Sequence, residues 1–123
     1  MKPNDKKNLP PHIFEAARIL DENKAEDILL LDLHDIHGYL GSFLVATALT
    51  AMHLKKLSDE VIYSFKKQKY TTKPPTADDI ASGWVILDYG EFLIHLFTRE
   101  KREFYQIETL WKEAGVIDIL EQV

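Results

Sequence analysis

Apolar and polar positions alternate along this chain in two different rhythms. From His12 onward, Ile13, Phe14, Ala16, Ala17, Ile19 and Leu20 recur at three- and four-residue steps. That is the spacing of one helix face, and Pro11 suits its first turn. The pattern fades near Asn23. Asp27–Leu33 (DILLLDL) is a short, nearly unbroken apolar run, as expected for a buried strand, and Phe43–Leu49 (FLVATAL) is another. His34–Ser42, with Gly38 and Gly41, reads as the connection between them. Thr50 is placed to cap a long helix. Its apolar stripe is Met52, Leu54, Leu57, Val61, Ile62 and Phe65, with Lys55, Lys56, Asp59, Glu60, Lys66 and Lys67 largely off the stripe. Lys69–Ser82 is polar, carries adjacent Pro74 and Pro75, and reads as a loop. GWVILDYGEFLIHLF (Gly83–Phe97) predicts two strands around a tight turn. Thr98 is placed to cap a final helix bearing Phe104, Tyr105, Ile107, Leu110 and Trp111. Gly115 would end that helix and leave VIDILEQV as a short amphipathic tail. The order α-β-β-α-β-β-α predicts an α/β fold with one mixed sheet partly covered by helices. Residues 1–11, polar and rich in proline, are expected as a flexible tail, and 12–123 as a single domain.

Strand parity sharpens the hairpin. A two-residue turn at Tyr89-Gly90 or at Gly90-Glu91 gives the same division of faces. Val85, Leu87, Tyr89, Phe92, Ile94 and Leu96 share one face, which is almost wholly apolar and should lie under helices. Trp84, Ile86, Asp88, Leu93, His95 and Phe97 share the other. That face mixes aromatic, aliphatic, acidic and imidazole groups, a combination suited to a partner surface with a Trp anchor. The alternative is that helices cover both faces, with His95 a hydrogen-bonded core histidine and Trp84 simply packed.

Composition narrows the chemistry. The 123 residues suit one compact domain, and 46% are apolar, enough for a real core. With 15 basic and 20 acidic residues the net charge is -5. Broad electrostatic binding to nucleic acid is therefore disfavoured, while docking on a basic protein is compatible. Cysteine is absent, which excludes disulfides and thiolate metal sites. No apolar run reaches the ~18 residues of a membrane span. The N-terminal lysines precede no apolar stretch of a signal peptide, so a cytoplasmic location is expected. DLHDIH (Asp32–His37) gathers acids and histidines, but no HExxH or distant third ligand completes a metal site. His53 and Glu60 stand two helical turns apart, too far to pair. Ser42 and Ser82 lack a nucleophile-elbow context, and the five glycines form no phosphate loop.

Several segments together resemble the ribosomal silencing factor family, also called Iojap-like or RsfS. The carriers are Trp84, Asp88, Tyr89, Gly90, His95 and Phe97 in the hairpin, then Arg102, Tyr105, Ile107, Glu108, Leu110 and Trp111. KAEDILLLDL (Lys24–Leu33) matches the approach to the first strand, and His53, Asp59, Glu60 and Val61 keep a family-like order. The resemblance covers roughly residues 12–112. It departs around the second strand, where the family pattern has Thr-Asp before it and Thr-Gly-Thr-Ser-x-Arg-His after it. Here Leu40-Gly41 precede the strand, and Ala48, Leu49 and Met52 stand within the following motif. The resemblance implies a nucleotidyltransferase-like topology without catalysis, cofactor or metal. It implies binding to the large ribosomal subunit through ribosomal protein fourteen, blocking of subunit joining under nutrient limitation, and a link to large-subunit biogenesis. Little direct nucleic-acid contact, no membrane, and a monomer or weak homodimer are expected. Trp84, Ile86, Asp88, Leu93 and His95 are the candidate partner-binding residues. The alternatives are a divergent metal-dependent nucleotidyltransferase-like enzyme using Asp32, His34 and Asp35, or an interaction module for another protein.

Overall fold

The computed structural model describes residues 9–32, 41–105 and 115–117, and beyond Arg102 at the level of the backbone alone. Helix α1 (Pro11–Glu22) begins with Pro11 in its first turn, where the missing N–H costs nothing. Leu9, expected in the tail, is buried with the core. Strand β1 (Glu26–Asp32) follows, with a bulge at its start where Asp27 takes φ 49°. Strand β2 (Ser42–Ala48) leads into helix α2 (Ala51–Lys66), and the Thr50 hydroxyl caps it by accepting from the His53 N–H at 3.0 Å.

The polar stretch expected as a loop contains a short helix, α3 (Ala77–Ser82). Thr76 and Asp79 form a reciprocal capping box, with Asp where Glu or Gln is usual. Ile80 alone gives the segment an apolar anchor, so no hydrophobic period announced it. Strands β3 (Trp84–Asp88) and β4 (Phe92–Thr98) form the expected hairpin, followed by α4 (Arg99–Tyr105). Gly115, expected to end a helix, instead opens strand β5 (Gly115–Ile117), which pairs with β1. The local pattern could not reveal this, because a short edge strand is defined by its partner. The expected helical positions at Ile107, Glu108, Leu110 and Trp111 lie outside the described residues.

The sheet order is β3-β4-β2-β1-β5, with β2 and β4 parallel and the other pairs antiparallel. Alternation divides it into two faces. Leu30, Leu44, Ala46, Val85, Leu87, Ile94 and Leu96 meet the buried stripes of α1 and α2 in the main core. The α2 stripe is Leu54, Leu57, Ser58, Val61 and Phe65. Met52, expected on that stripe, is 84% exposed. It stands two residues before Leu54, about 200° around the helix, so it points away from the sheet.

On the opposite face, Leu31, Phe43, Val45 and Phe97 form a smaller buried cluster. Helix α4 is tied to this side. Arg102 Nη1 donates to Thr47 Oγ1 at 2.7 Å and to the Asp27 carbonyl at 3.1 Å, and Arg99 pairs with Glu26.

Candidate functional site

The turn of the β3–β4 hairpin is Gly90-Glu91. The Tyr89 N–H donates to the Phe92 carbonyl at 3.1 Å, and Gly90 takes φ 84°. A positive φ at the first central position is what a two-residue hairpin loop with Gly there requires. Asp88 Oδ1 accepts from the Gly90 N–H at 2.8 Å and so braces the same turn. The chain before α3 is pinned to this end of the hairpin. Tyr70 Oη donates to the Tyr89 carbonyl at 3.2 Å, and Thr72 Oγ1 donates to the Asp88 carbonyl at 2.6 Å. Tyr70 also stacks between His12 and Tyr89, at centroid distances of 4.0 and 4.9 Å. Two carbonyls near the edge of the sheet are thereby occupied, which blunts β3 against unwanted strand pairing.

Ladder pairing aligns Trp84 with Phe97, Ile86 with His95 and Asp88 with Leu93. The five candidate residues therefore share one face, as strand parity required, but burial separates them. Ile86 is 46% exposed and Asp88 is exposed, whereas Trp84 and Leu93 are partly exposed. His95 is only 4% exposed. Phe97 is fully buried, and the Trp84 indole stacks on it at 5.1 Å with a 23° tilt. The face is closed over β2 and β4 and open along β3.

Trp84 Nε1–H donates to His95 Nδ1 at 3.2 Å. An indole nitrogen only donates, so Nδ1 must be the unprotonated imidazole nitrogen. The proton then resides on Nε2, a buried atom with no hydrogen-bond partner among the described residues. The ring packs at 4.4 Å from Phe43, and burial lowers the His95 pKa to about 4. His95 is thus a neutral, inward-facing acceptor at ordinary pH.

The remaining chemical candidates stay scattered. Among the described residues, no group of three or more His, Asp or Glu side chains is placed to hold a metal ion, and no helix is long and apolar enough to cross a membrane. Asp32 is buried at the end of β1, while His34 and Asp35 lie outside the described residues. His53 has a role that the sequence reading missed. Its Nδ1 accepts from the Leu49 N–H at 2.9 Å, and Nε2 lies 2.8 Å from the Asn23 carbonyl. With Nδ1 accepting, Nε2 is the donor, so the ring bridges the end of α1 to the start of α2. Its position three residues after the cap was the signal available in the sequence.

The architecture is that of a small single-sheet α/β domain with one sheet face open along a hairpin edge. A solved structure from Bacillus halodurans shares the fold, with a TM-score of 0.72 at 22% identity, over 89% of this chain and 99% of that one. A Chromobacterium violaceum structure matches with a TM-score of 0.71 at 26% identity, over 81% and 83%. The family model described as ribosomal silencing factor during starvation matches residues 6–123, and the chain belongs to that family. It is 29% identical to the ribosomal silencing factor RsfS of Bacillus subtilis over 85% of this chain and 87% of that protein. It is 27% identical to a mitochondrial Iojap-related protein of Arabidopsis thaliana over 88% of this chain, spanning 61% of that longer protein's length. A mouse protein named for mitochondrial assembly of the ribosomal large subunit is 27% identical over 85% of this chain and 47% of its own length.

Proposed function

We propose that this protein is a ribosomal silencing factor that docks on the large ribosomal subunit and blocks its joining to the small one. The partner is ribosomal protein fourteen, and the silencing operates under nutrient limitation, with a further part in large-subunit assembly. The nucleotidyltransferase-like kinship of the fold belongs to the same reading, and so does the absence of catalysis. Family membership and the names of the relatives support the ribosomal role. The observation that carries the docking surface is the open margin of the sheet, where partly exposed Trp84 stands beside exposed Ile86 and Asp88. An aromatic anchor ringed by aliphatic and acidic groups suits a basic protein partner, and the net charge of -5 favours the same choice.

The test mixes purified subunits with the protein in the absence of nucleotide. The wild type should migrate with free large subunits in a sucrose gradient and reduce the joined fraction. Blocking that requires a nucleotide, or that survives Trp84→Ala and Asp88→Asn combined, overturns the proposal.

A further inference from the structure

We infer that His95 is a positioning residue for docking, acting through the Trp84 indole without itself meeting the partner. This rests on the docking reading for its consequence, though not for its geometry. His95 is 4% exposed and stands beside Ile86 on the neighbouring strand, with Phe43 packed against its ring. A partner resting on the open margin reaches Trp84, Ile86 and Asp88 before it could reach the imidazole.

What His95 provides is an acceptor. The indole stacks on Phe97, a contact that sets no direction within the plane of the ring. The bond from Nε1–H to His95 Nδ1 adds a directional restraint in that plane. An anchor already held in its bound orientation loses less freedom on association.

The other ring nitrogen strengthens the assignment. Among the described residues Nε2–H is buried without an acceptor, a state that costs stability. An apolar ring of similar size would pack there without that penalty. A residue that only packs there needs no acceptor atom, whereas one that orients Trp84 does, and Nδ1 supplies it.

The experiment pairs a spectroscopic readout with a binding readout in the full-length protein. Nitrogen-15 labelling gives each Trp an indole N–H resonance, and Trp84→Phe assigns one of them to Trp84. That resonance should exchange slowly with solvent in the wild type and in His95→Gln, which retains an acceptor. It should lose protection in His95→Phe. Sedimentation with purified large subunits should show a loss of fivefold or more for His95→Phe, and less than threefold for His95→Gln. In the Trp84→Phe background, His95→Phe should add less than a twofold loss, since its effect runs through the indole. A Trp84 resonance unchanged in His95→Phe overturns the inference. So does an equal binding loss from His95→Phe in both backgrounds. An indole that responds as expected in a wild-type protein that fails to bind large subunits overturns the docking reading and the positioning role with it, leaving the hydrogen bond as a structural feature.

Discussion

At the residue scale, the hairpin face separates groups that look alike in sequence. Trp84 and His95 are both aromatic, polar-tipped residues on one face, yet one is partly exposed and the other buried. Trp84→Ala is expected to weaken large-subunit binding by about 2 kcal/mol or more, roughly thirtyfold. Because the indole is only partly buried, its stability cost should stay near 1–2 kcal/mol, below that of a fully buried Trp. Titration by sedimentation beside a urea melt checks both numbers. Asp88→Asn isolates charge, since an Asn oxygen can still accept from the Gly90 N–H. Slower association with a flatter salt dependence, and an unchanged melt, are the expected results. His95 sets an acid limit. Its folded pKa of about 4 lies below the ordinary 6.5, so the unfolded chain takes up the proton first. The His95 contribution is therefore full above pH 6.5 and falls away as pH drops towards 4, by about 3 kcal/mol in total. Urea melts from pH 7.5 to 4 should show a part of the acid loss that disappears in His95→Phe.

At the element scale, two glycines with nearly equal φ make different predictions. Gly90, at φ 84°, faces open space, so Gly90→Ala meets only the left-handed backbone penalty of about 1 kcal/mol. Gly83, at φ 83°, ends α3, and a Cβ there would lie 2.7 Å from Lys101 Cγ and 2.8 Å from Thr98 Oγ1. Gly83→Ala should therefore cost more than Gly90→Ala in the same denaturant titration, and equal costs would show that α4 yields freely. His53 joins two elements across 30 residues by bonding the Leu49 N–H and the Asn23 carbonyl. His53→Ala should cost about 1–2 kcal/mol through those unmet backbone groups. A drop in melting temperature without loss of ribosome binding would place this corner outside the docking surface.

At the scale of the whole molecule, the legible and the illegible divide along physical lines. The period of 3.6 in α1 and α2, the Thr50 cap, the hairpin and its two faces were readable because each depends on neighbours within a few residues. So was the family resemblance, carried by side chains at fixed spacing around Trp84 and Arg102. The pairing of β5 and the pinning of Tyr70 and Thr72 to the hairpin were not, since each is created by a distant segment, and α3 escaped because its local capping box carries no hydrophobic period. The parallel pairing of β2 with β4 belongs with the distant pairings. It sets Val45 beside His95 and brings Phe43 against its ring, closing half of a face that strand parity described only as shared. Alternation along a strand determines which side chains point the same way. Which of them remain in contact with water is decided by what the rest of the chain lays over them, and that is a property of tertiary packing alone.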